Sequence, residues 1–167
     1  MPMFKPISEN EAKGKVKEVF DEIKSVRKIT EVPNFWKYIA NSPETLERTW
    51  KATSQVMKAG ALDPVTKELI YVAVSMTNSC EYCTKSHTAA AKKKGATDEM
   101  IKEMIDVMGV ANQNNKLVEA YGVEVDDFLK SVSYTHLRAH ETPEHRGCRG
   151  MVEKKKGGGG GGGGGGG

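Results

Sequence analysis

The chain has 167 residues, with 25 Lys and Arg against 22 Asp and Glu, which gives a formal net charge of +3. Residues 131–167 hold six of these basic residues and three of the acidic ones, so residues 1–130 carry 19 of each and are neutral. A neutral chain without a run of about 20 apolar residues excludes a polybasic nucleic-acid-binding protein and a membrane-spanning one.

Start and stop signals along the chain predict a series of helices. Ser8 and Glu11 form a capping box, and Asp63 with Pro64 places an N-cap before a proline at the first helical position. Gly95 is expected in the left-handed conformation that closes a helix. The expected helices cover about residues 9–27, 34–40, 42–60, 63–77, 80–94, 97–108 and 111–121.

The absence of strict two-residue alternation between turn signals argues against strands. Residues 1–130 should therefore form one all-α domain of six to seven helices. The chain has eight methionines and few large aromatic residues, so burial between subunits would add to a modest core, and a homo-oligomer is expected. The apolar residues expected mainly in the core are Leu46, Trp50, Met57, Met104 and Met108.

The last 37 residues, 131–167, differ in character from the rest of the chain. Ser131 to Thr142 resembles the translation of a transposase-type sequencing-library adapter, and a second adapter segment partly matches His145 to Lys156 in the same register. Eleven glycines follow, from Gly157 to Gly167. A flexible linker or a basic metal-binding tail would not account for both matches. We therefore expect residues 131–167 to be a disordered, non-native tail that is no part of the fold.

Apart from that tail, the chain has two cysteines and one histidine, and all three lie within eight consecutive residues as Cys80, Cys83 and His87. The N-terminal residues lack the apolar run of a secretion signal, so a cytoplasmic protein is expected. In a reducing compartment, two cysteines separated by two residues are more often catalytic or metal-binding than structural.

Asn78 and Ser79 interrupt the helical pattern between residues 63–77 and residues 80–94, which places Cys80 at the start of a new helix. Residues three, four and seven apart share one helix face, so Cys80, Cys83 and His87 should face the same way. The free amides and the dipole at a helix N-terminus stabilise a thiolate, which is the reactive form of cysteine. Two sulfurs at this spacing can form a disulfide, so one can attack an oxidised substrate and the other can resolve the product. His87 is placed to move the proton.

The Cys-x-Tyr-Cys-x-x-x-His segment from Cys80 to His87 resembles the alkylhydroperoxidase-D-like branch of the carboxymuconolactone decarboxylase superfamily. The resemblance covers most of residues 15–125, and it implies an all-helical AhpD-like domain that assembles as a homo-oligomer. The residues that match outside the motif are Val32-Pro33-Asn34, Ser42-Pro43, Leu62-Asp63-Pro64, Glu68-Leu69-Ile70 and Val74-Ser75.

The resemblance also implies roles for the site residues. It points to a thiol-dependent peroxidase in which peroxide oxidises Cys83 and Cys80 resolves the product as a disulfide. His87 and Glu68 would form the proton relay, since Glu68 lies twelve residues before Cys80, which is the family's offset for that acid. No cofactor or metal is implied, and the reductant would be a dithiol such as a lipoyl group or a thioredoxin-like protein.

One residue departs from the family pattern. The best-studied branch has a second histidine immediately before the second cysteine, where this chain has Tyr82. The unperturbed pKa of tyrosine is about 10, so this residue is a poor substitute for histidine in proton transfer near neutral pH. Tyr82 therefore bears on the efficiency of peroxide reduction and on the identity of the oxidant.

Other interpretations of the same residues stay open. Cys80, Cys83 and His87 could bind zinc with Glu68 or water as the fourth ligand, although no further cysteine or histidine precedes the tail. The cysteines could also be passive residues of a non-catalytic oligomeric module. Lactone decarboxylation, the other chemistry of the superfamily, would leave both cysteines without a role. The run Lys92-Lys93-Lys94 is interpreted as a solvated last turn that suits the helix dipole.

Overall fold

The computed structural model describes residues 3–130, and the expectation about residues 131–167 lies outside the described residues. The chain divides into two compact units at Lys116, so residues 3–116 and residues 117–130 are described separately. Regular structure within the described range is entirely helical, which confirms the predicted all-α fold. The helices are α1 (Gly14–Arg27), α2 (Asn34–Ile39), α3 (Pro43–Val56), α4 (Pro64–Thr77), α5 (Glu81–Lys93), α6 (Asp98–Tyr121) and α7 (Asp127–Lys130).

Side-chain caps fix the starts of α3 and α4, and both starts lie within one residue of the predicted ones at residues 42 and 63. Ser42 accepts a hydrogen bond from the Thr45 amide at the start of α3. The Asp63 carboxylate accepts from the Val65 and Thr66 amides at the start of α4. Each cap satisfies amides that have no partner inside the helix, so these two boundaries follow from local sequence alone.

The start of α1 lies later than predicted. The Ser8 amide donates to the Glu11 carboxylate at 3.0 Å, as a capping box requires, but the box closes only one turn at residues 9–11. Gly14 has a φ of 50°, in the left-handed region that glycine adopts without steric cost. The prediction of a helix from residue 9 is therefore wrong, because α1 begins only at Gly14, whose left-handed backbone separates it from the turn at residues 9–11.

The end of α3 also differs from the prediction. This helix ends at Val56, whereas the predicted helix extends to residue 60. The Lys67 ammonium, from α4, donates to the carbonyls of Val56 and Lys58. A cation that satisfies carbonyls near a helix C-terminus can replace a glycine cap, and such a long-range contact is not visible in local sequence.

Two predicted helices over residues 97–108 and 111–121 form one helix, α6. Gly109 lies inside α6, where a glycine costs only about 1 kcal/mol relative to alanine. The next residues, Val110 and Ala111, are poor N-caps, so nothing favours the start of a new helix.

The core of residues 3–116 lies among α1, α2 and α3. Phe20 and Ile23 of α1 pack with Trp36 of α2 and with Leu46 and Trp50 of α3, and each of the five is at most 2% exposed. The two indole rings meet edge to face, with centroids 5.4 Å apart and an interplanar angle of 89°. The core therefore surrounds a rigid pair of tryptophans, and the expected core positions of Leu46 and Trp50 are confirmed.

Apolar side chains stay exposed on α4 and α6. On α4, Ile70 and Val74 are 48% and 54% exposed, and no residue of α6 is buried. No helix within residues 3–130 is both long and apolar enough to span a bilayer. Three methionines expected mainly in the core are only partly buried: Met57, Met104 and Met108.

A core substitution on α1 tests this packing. Replacing Phe20 by alanine should lower the free energy of unfolding by about 3–5 kcal/mol, because the lost ring leaves a cavity beside Trp50. Val26→Ala on the same helix is the control, since Val26 is 55% exposed and its loss should cost at most about 0.5 kcal/mol. Urea titration followed by circular dichroism measures both, and equal costs would contradict the assigned core.

Candidate active site

A tight turn between α4 and α5 positions the two cysteines. Ser79 has a φ of 56°, and the Cys80 amide donates to the Ser75 carbonyl at 2.9 Å, so the chain reverses within three residues. Cys80 is the N-cap of α5, and its sulfur accepts a hydrogen bond from the Cys83 amide at 3.3 Å. The helix start predicted from the sequence is therefore present, with a sulfur as the capping atom.

Cys80 and Cys83 are joined by a disulfide in this structure, with their Cα atoms 5.4 Å apart. Both side chains are half-buried at the first turn of α5. The structure thus describes the oxidised state of the pair. In the reduced state, the amides and dipole at the same helix start would favour a thiolate.

His87 and Glu68 form a buried pair beside the cysteines. His87 Nδ1 lies 2.6 Å from Glu68 Oε2, and their side chains are 13% and 5% exposed. An ionised carboxylate can only accept, so Nδ1 carries the hydrogen of this bond in the neutral ring. The other ring nitrogen, Nε2, then keeps the lone pair that can accept a proton.

Lys94 completes the surroundings of Glu68. Its ammonium donates to Glu68 Oε1 at 2.6 Å, so both carboxylate oxygens are bonded. Burial alone would raise the pKa of Glu68, but the hydrogen bonds from His87 and Lys94 and the charges of those groups outweigh burial and hold the pKa below its ordinary value. The carboxylate therefore stays ionised, and the interpretation of Lys94 as part of a merely solvated turn is wrong.

Two tyrosines border the histidine and the sulfurs. The Tyr71 ring stacks on the His87 ring, with centroids 3.5 Å apart and an interplanar angle of 16°. The Tyr82 hydroxyl accepts a hydrogen bond from the Phe35 amide at 3.1 Å. Tyr82 therefore connects α5 to the start of α2, and Tyr71 holds the plane of the imidazole.

Two cavities reach the disulfide from different sides. The first, which we name the small pocket, has a volume of about 50 Å³ and is lined by Arg27, Tyr82, Cys83 and His87 among others. The second, which we name the apolar groove, has a volume of about 480 Å³ and is lined by both cysteines and by residues of α4. Cys80 contributes to the groove but not to the small pocket, so the two sulfurs have different neighbours.

The structure brings together all four residues that the sequence singles out, namely Cys80, Cys83, His87 and Glu68. Within residues 3–130, no three His, Cys, Asp or Glu side chains are arranged to hold a metal ion. Sequence reasoning missed three residues that the fold adds to the site: Arg27, Tyr71 and Lys94.

Comparison with known proteins places these residues in a wider group. The model of the carboxymuconolactone decarboxylase family matches residues 43–123. The crystal structure of the alkylhydroperoxidase AhpD core from Rhodospirillum rubrum is similar with a TM-score of 0.75 and 43% identity, over 77% of this chain and 97% of that one. A Paracoccus denitrificans protein described as uncharacterized protein 4 in cox locus is 42% identical over 62 residues, which are 36% of this chain. The match spans 56% of that curated relative.

Substitution of Glu68 by glutamine tests the buried ion pairs. Folding lowers the pKa of Glu68, so its stabilisation is complete above the ordinary glutamate pKa and is lost as the pH falls through the lower folded-state pKa. The wild-type free energy of unfolding should therefore fall as the pH is lowered through this acidic interval. The free energy of unfolding of the Glu68→Gln protein should fall by less over the same interval.

The control for this experiment is Glu22→Gln, which removes an exposed acid from α1. Urea titrations at a series of pH values measure the three proteins. A Glu68→Gln curve parallel to the wild-type curve throughout the acidic interval would contradict the assigned pairing.

Proposed function

The chain belongs to the carboxymuconolactone decarboxylase family, in its alkylhydroperoxidase-D-like branch, and we propose that it reduces small peroxides through a disulfide cycle of Cys80 and Cys83. The observation that carries the proposal is that the small pocket contains Cys83 and His87 but not Cys80. Because the Cys83 sulfur shares a pocket with the imidazole, we assign to Cys83 the attack on the peroxide. The other sulfur lies within bonding distance, which suits a resolving thiol.

The first half of the proposed cycle oxidises Cys83. In the reduced protein His87 accepts the thiol proton, and the Glu68 carboxylate stabilises the resulting imidazolium. The thiolate attacks one peroxide oxygen, so an S–O bond forms as the O–O bond breaks and the sulfur becomes a sulfenic acid. The second oxygen leaves as an alcohol, or as water from hydrogen peroxide, with the proton returned by His87.

The second half of the cycle forms the disulfide. The Cys80 sulfur attacks Cys83 Sγ, and the sulfenic hydroxyl leaves as water with the Cys80 proton. One peroxide thus consumes two thiols. The Cα separation of 5.4 Å lies in the ordinary range for a disulfide, which supports resolution within one chain.

An external dithiol must then reduce the disulfide, and we propose a lipoyl group or a thioredoxin-like protein for this step. Cys80 lines the apolar groove, which offers a partner thiol an approach separate from the small pocket. Thiol–disulfide exchange returns both cysteines to the reduced state and leaves the partner oxidised.

We further propose that the protein acts as a homo-oligomer in a reducing cytoplasm. Ile70 and Val74 on α4 and Val107 and Val110 on α6 are each about half exposed or more, at 48%, 54%, 65% and 58%. Ile70, Val74 and Val107 line one groove, and exposed apolar surface of this kind is typical of association sites. A reducing compartment would also supply the dithiol that the cycle requires.

Single cysteine variants test the assigned roles. In a Cys148→Ser background, which removes the third cysteine of the chain, Cys80→Ser should form a stable sulfenic acid with hydrogen peroxide because no thiol resolves it. Cys83→Ser should form none. Dimedone labelling followed by mass spectrometry locates the product.

Two outcomes of that experiment would contradict the proposal. A sulfenic acid on Cys80 in the Cys83→Ser protein would exchange the two roles. A tightly bound equivalent of zinc in the reduced wild-type protein, with both thiols protected from alkylation, would replace the cycle by a metal site.

The size of the small pocket predicts a preference among peroxides. Its volume of about 50 Å³ is a few times the roughly 10–15 Å³ that one water needs, so it admits hydrogen peroxide more readily than a hydroperoxide with an aromatic ring. The rate constant for Cys83 oxidation should be at least about tenfold greater for hydrogen peroxide than for cumene hydroperoxide, a difference of about 1.4 kcal/mol in activation free energy.

A variant of the pocket wall provides the control for this prediction. Phe35 lines the small pocket and is 41% exposed, so Phe35→Ala should accelerate the reaction with cumene hydroperoxide selectively. Stopped-flow fluorescence measures both substrates. Equal rates in the wild-type protein would instead indicate attack from the larger apolar groove.

A further inference from the structure

Arg27 is a charged residue of the small pocket for which the relay described above has no role. It is the last residue of α1, and its guanidinium lies over the rings of Trp36 and Trp50, at 5.4 and 5.7 Å from their centroids. Both tryptophans are at most 2% exposed. The rigid core therefore holds this cation in one place by cation–π contacts and by packing of its stem.

The charge of Arg27 is not neutralised by a carboxylate. Across residues 3–130, no Asp or Glu forms an ion pair with Arg27, and the oxygens of Glu68 are bonded to His87 and Lys94. Burial lowers the pKa of Arg27, and the charge of Glu68 acts in the opposite direction. An arginine stays protonated throughout the ordinary pH range, so a half-buried cation lines the pocket with no carboxylate paired to it among residues 3–130.

The other ionisable groups around the pocket come from two helices. From α4 these are Tyr71, which lines the pocket, and Glu68, which lies behind His87. From α5 they are Tyr82, Cys83 and His87, and Lys94 at the end of α5 bonds the far oxygen of Glu68. Arg27, from α1, is the one permanently charged group among the pocket's described lining residues. An anion formed at the Cys83 sulfur or on a peroxide oxygen would therefore find its fixed counter-charge at Arg27.

We propose that Arg27 is a further residue of the peroxide site, where its guanidinium stabilises the Cys83 thiolate and then the oxygen anion that leaves as the O–O bond breaks. This proposal rests on the proposed function. During the attack, negative charge moves from sulfur to the departing oxygen, which His87 then protonates. A guanidinium presents several N–H donors in a fixed fork, so it can stay in contact with the charge as it moves between adjacent atoms.

Two substitutions separate charge from packing. Arg27→Met keeps an apolar stem over the tryptophans but removes the charge, whereas Arg27→Lys keeps the charge but loses the fork. Lys28→Met is the matched control, because it removes an exposed cation from the adjacent position. Each is made in the full chain with Cys80→Ser and Cys148→Ser, so that Cys83 is the one remaining cysteine.

The first readout is the pH dependence of Cys83 alkylation by iodoacetamide, which reports the thiolate without any peroxide. Arg27→Met should raise the apparent pKa of the thiol, Arg27→Lys should raise it less, and Lys28→Met should leave it unchanged. The second readout is sulfenic acid formation with hydrogen peroxide at a pH above that apparent pKa. At that pH the Arg27→Met protein should still form sulfenic acid about a hundredfold more slowly than the protein with Arg27. A loss of this size is typical when one preorganised donor to a developing oxygen anion is removed.

Two results would overturn the proposal. One is an Arg27→Met protein with the control's alkylation profile and peroxide rate. The other is equal impairment of Arg27→Met and Arg27→Lys together with an equal fall in melting temperature, which would assign Arg27 to packing. A Cys80→Ser, Cys148→Ser protein with Arg27 intact that forms no sulfenic acid would remove the proposed function, whereas the alkylation profile would still decide whether Arg27 stabilises the thiolate.

Discussion

A buried carboxylate, Glu68, connects the helices that carry the candidate site. An ionised group that is 4% exposed is stable only with partners, and Glu68 has two of them on α5 or at its end, His87 and Lys94. These two bonds fix how α4 and α5 lie against each other. The same arrangement sets the orientation of the imidazole and leaves its second nitrogen available next to Cys83. The geometry of the proposed proton transfer therefore depends on where one charge is buried.

The site combines a reactive helix start with a rigid wall. The turn that closes on the Ser75 carbonyl places Cys80 and Cys83 at the first turn of α5. The opposite wall comes from the aromatic core of α1, α2 and α3, and the hydrogen bond between Tyr82 and the Phe35 amide connects the two parts. A small pocket with fixed walls and an apolar groove on the other side give the two sulfurs distinct surroundings, as a cycle with an attacking and a resolving thiol requires.

Local signals in the sequence predict most of the helices, and they predict that Cys80, Cys83 and His87 lie on one face of a helix. Both predictions succeed because capping and helical spacing act over a few residues. For this reason Cys83 lies beside Cys80, to which it is bonded, and shares the small pocket with His87. The role of Glu68 is predicted only through the family's offset, since nothing local distinguishes it from a solvated acid. Local signals do not predict the positions of Lys94 and Arg27. Lys94 bonds a carboxylate 26 residues earlier in the chain, and Arg27 reaches the pocket from α1. The predicted boundaries of α1, α3 and α6 are wrong for reasons that capping rules do not include. Examples are the left-handed backbone at Gly14 and the Lys67 ammonium, which bonds the last carbonyl of α3.

Thiol counting on the reduced protein tests the central claim most directly. The chain has three cysteines, and one equivalent of hydrogen peroxide should remove two titratable thiols and leave one. Peptide mapping should then find a single new bond between Cys80 and Cys83, formed much faster than free cysteine reacts under the same conditions. Three thiols that remain titratable, or a loss no faster than that of free cysteine, would contradict a peroxide-reducing site at the start of α5.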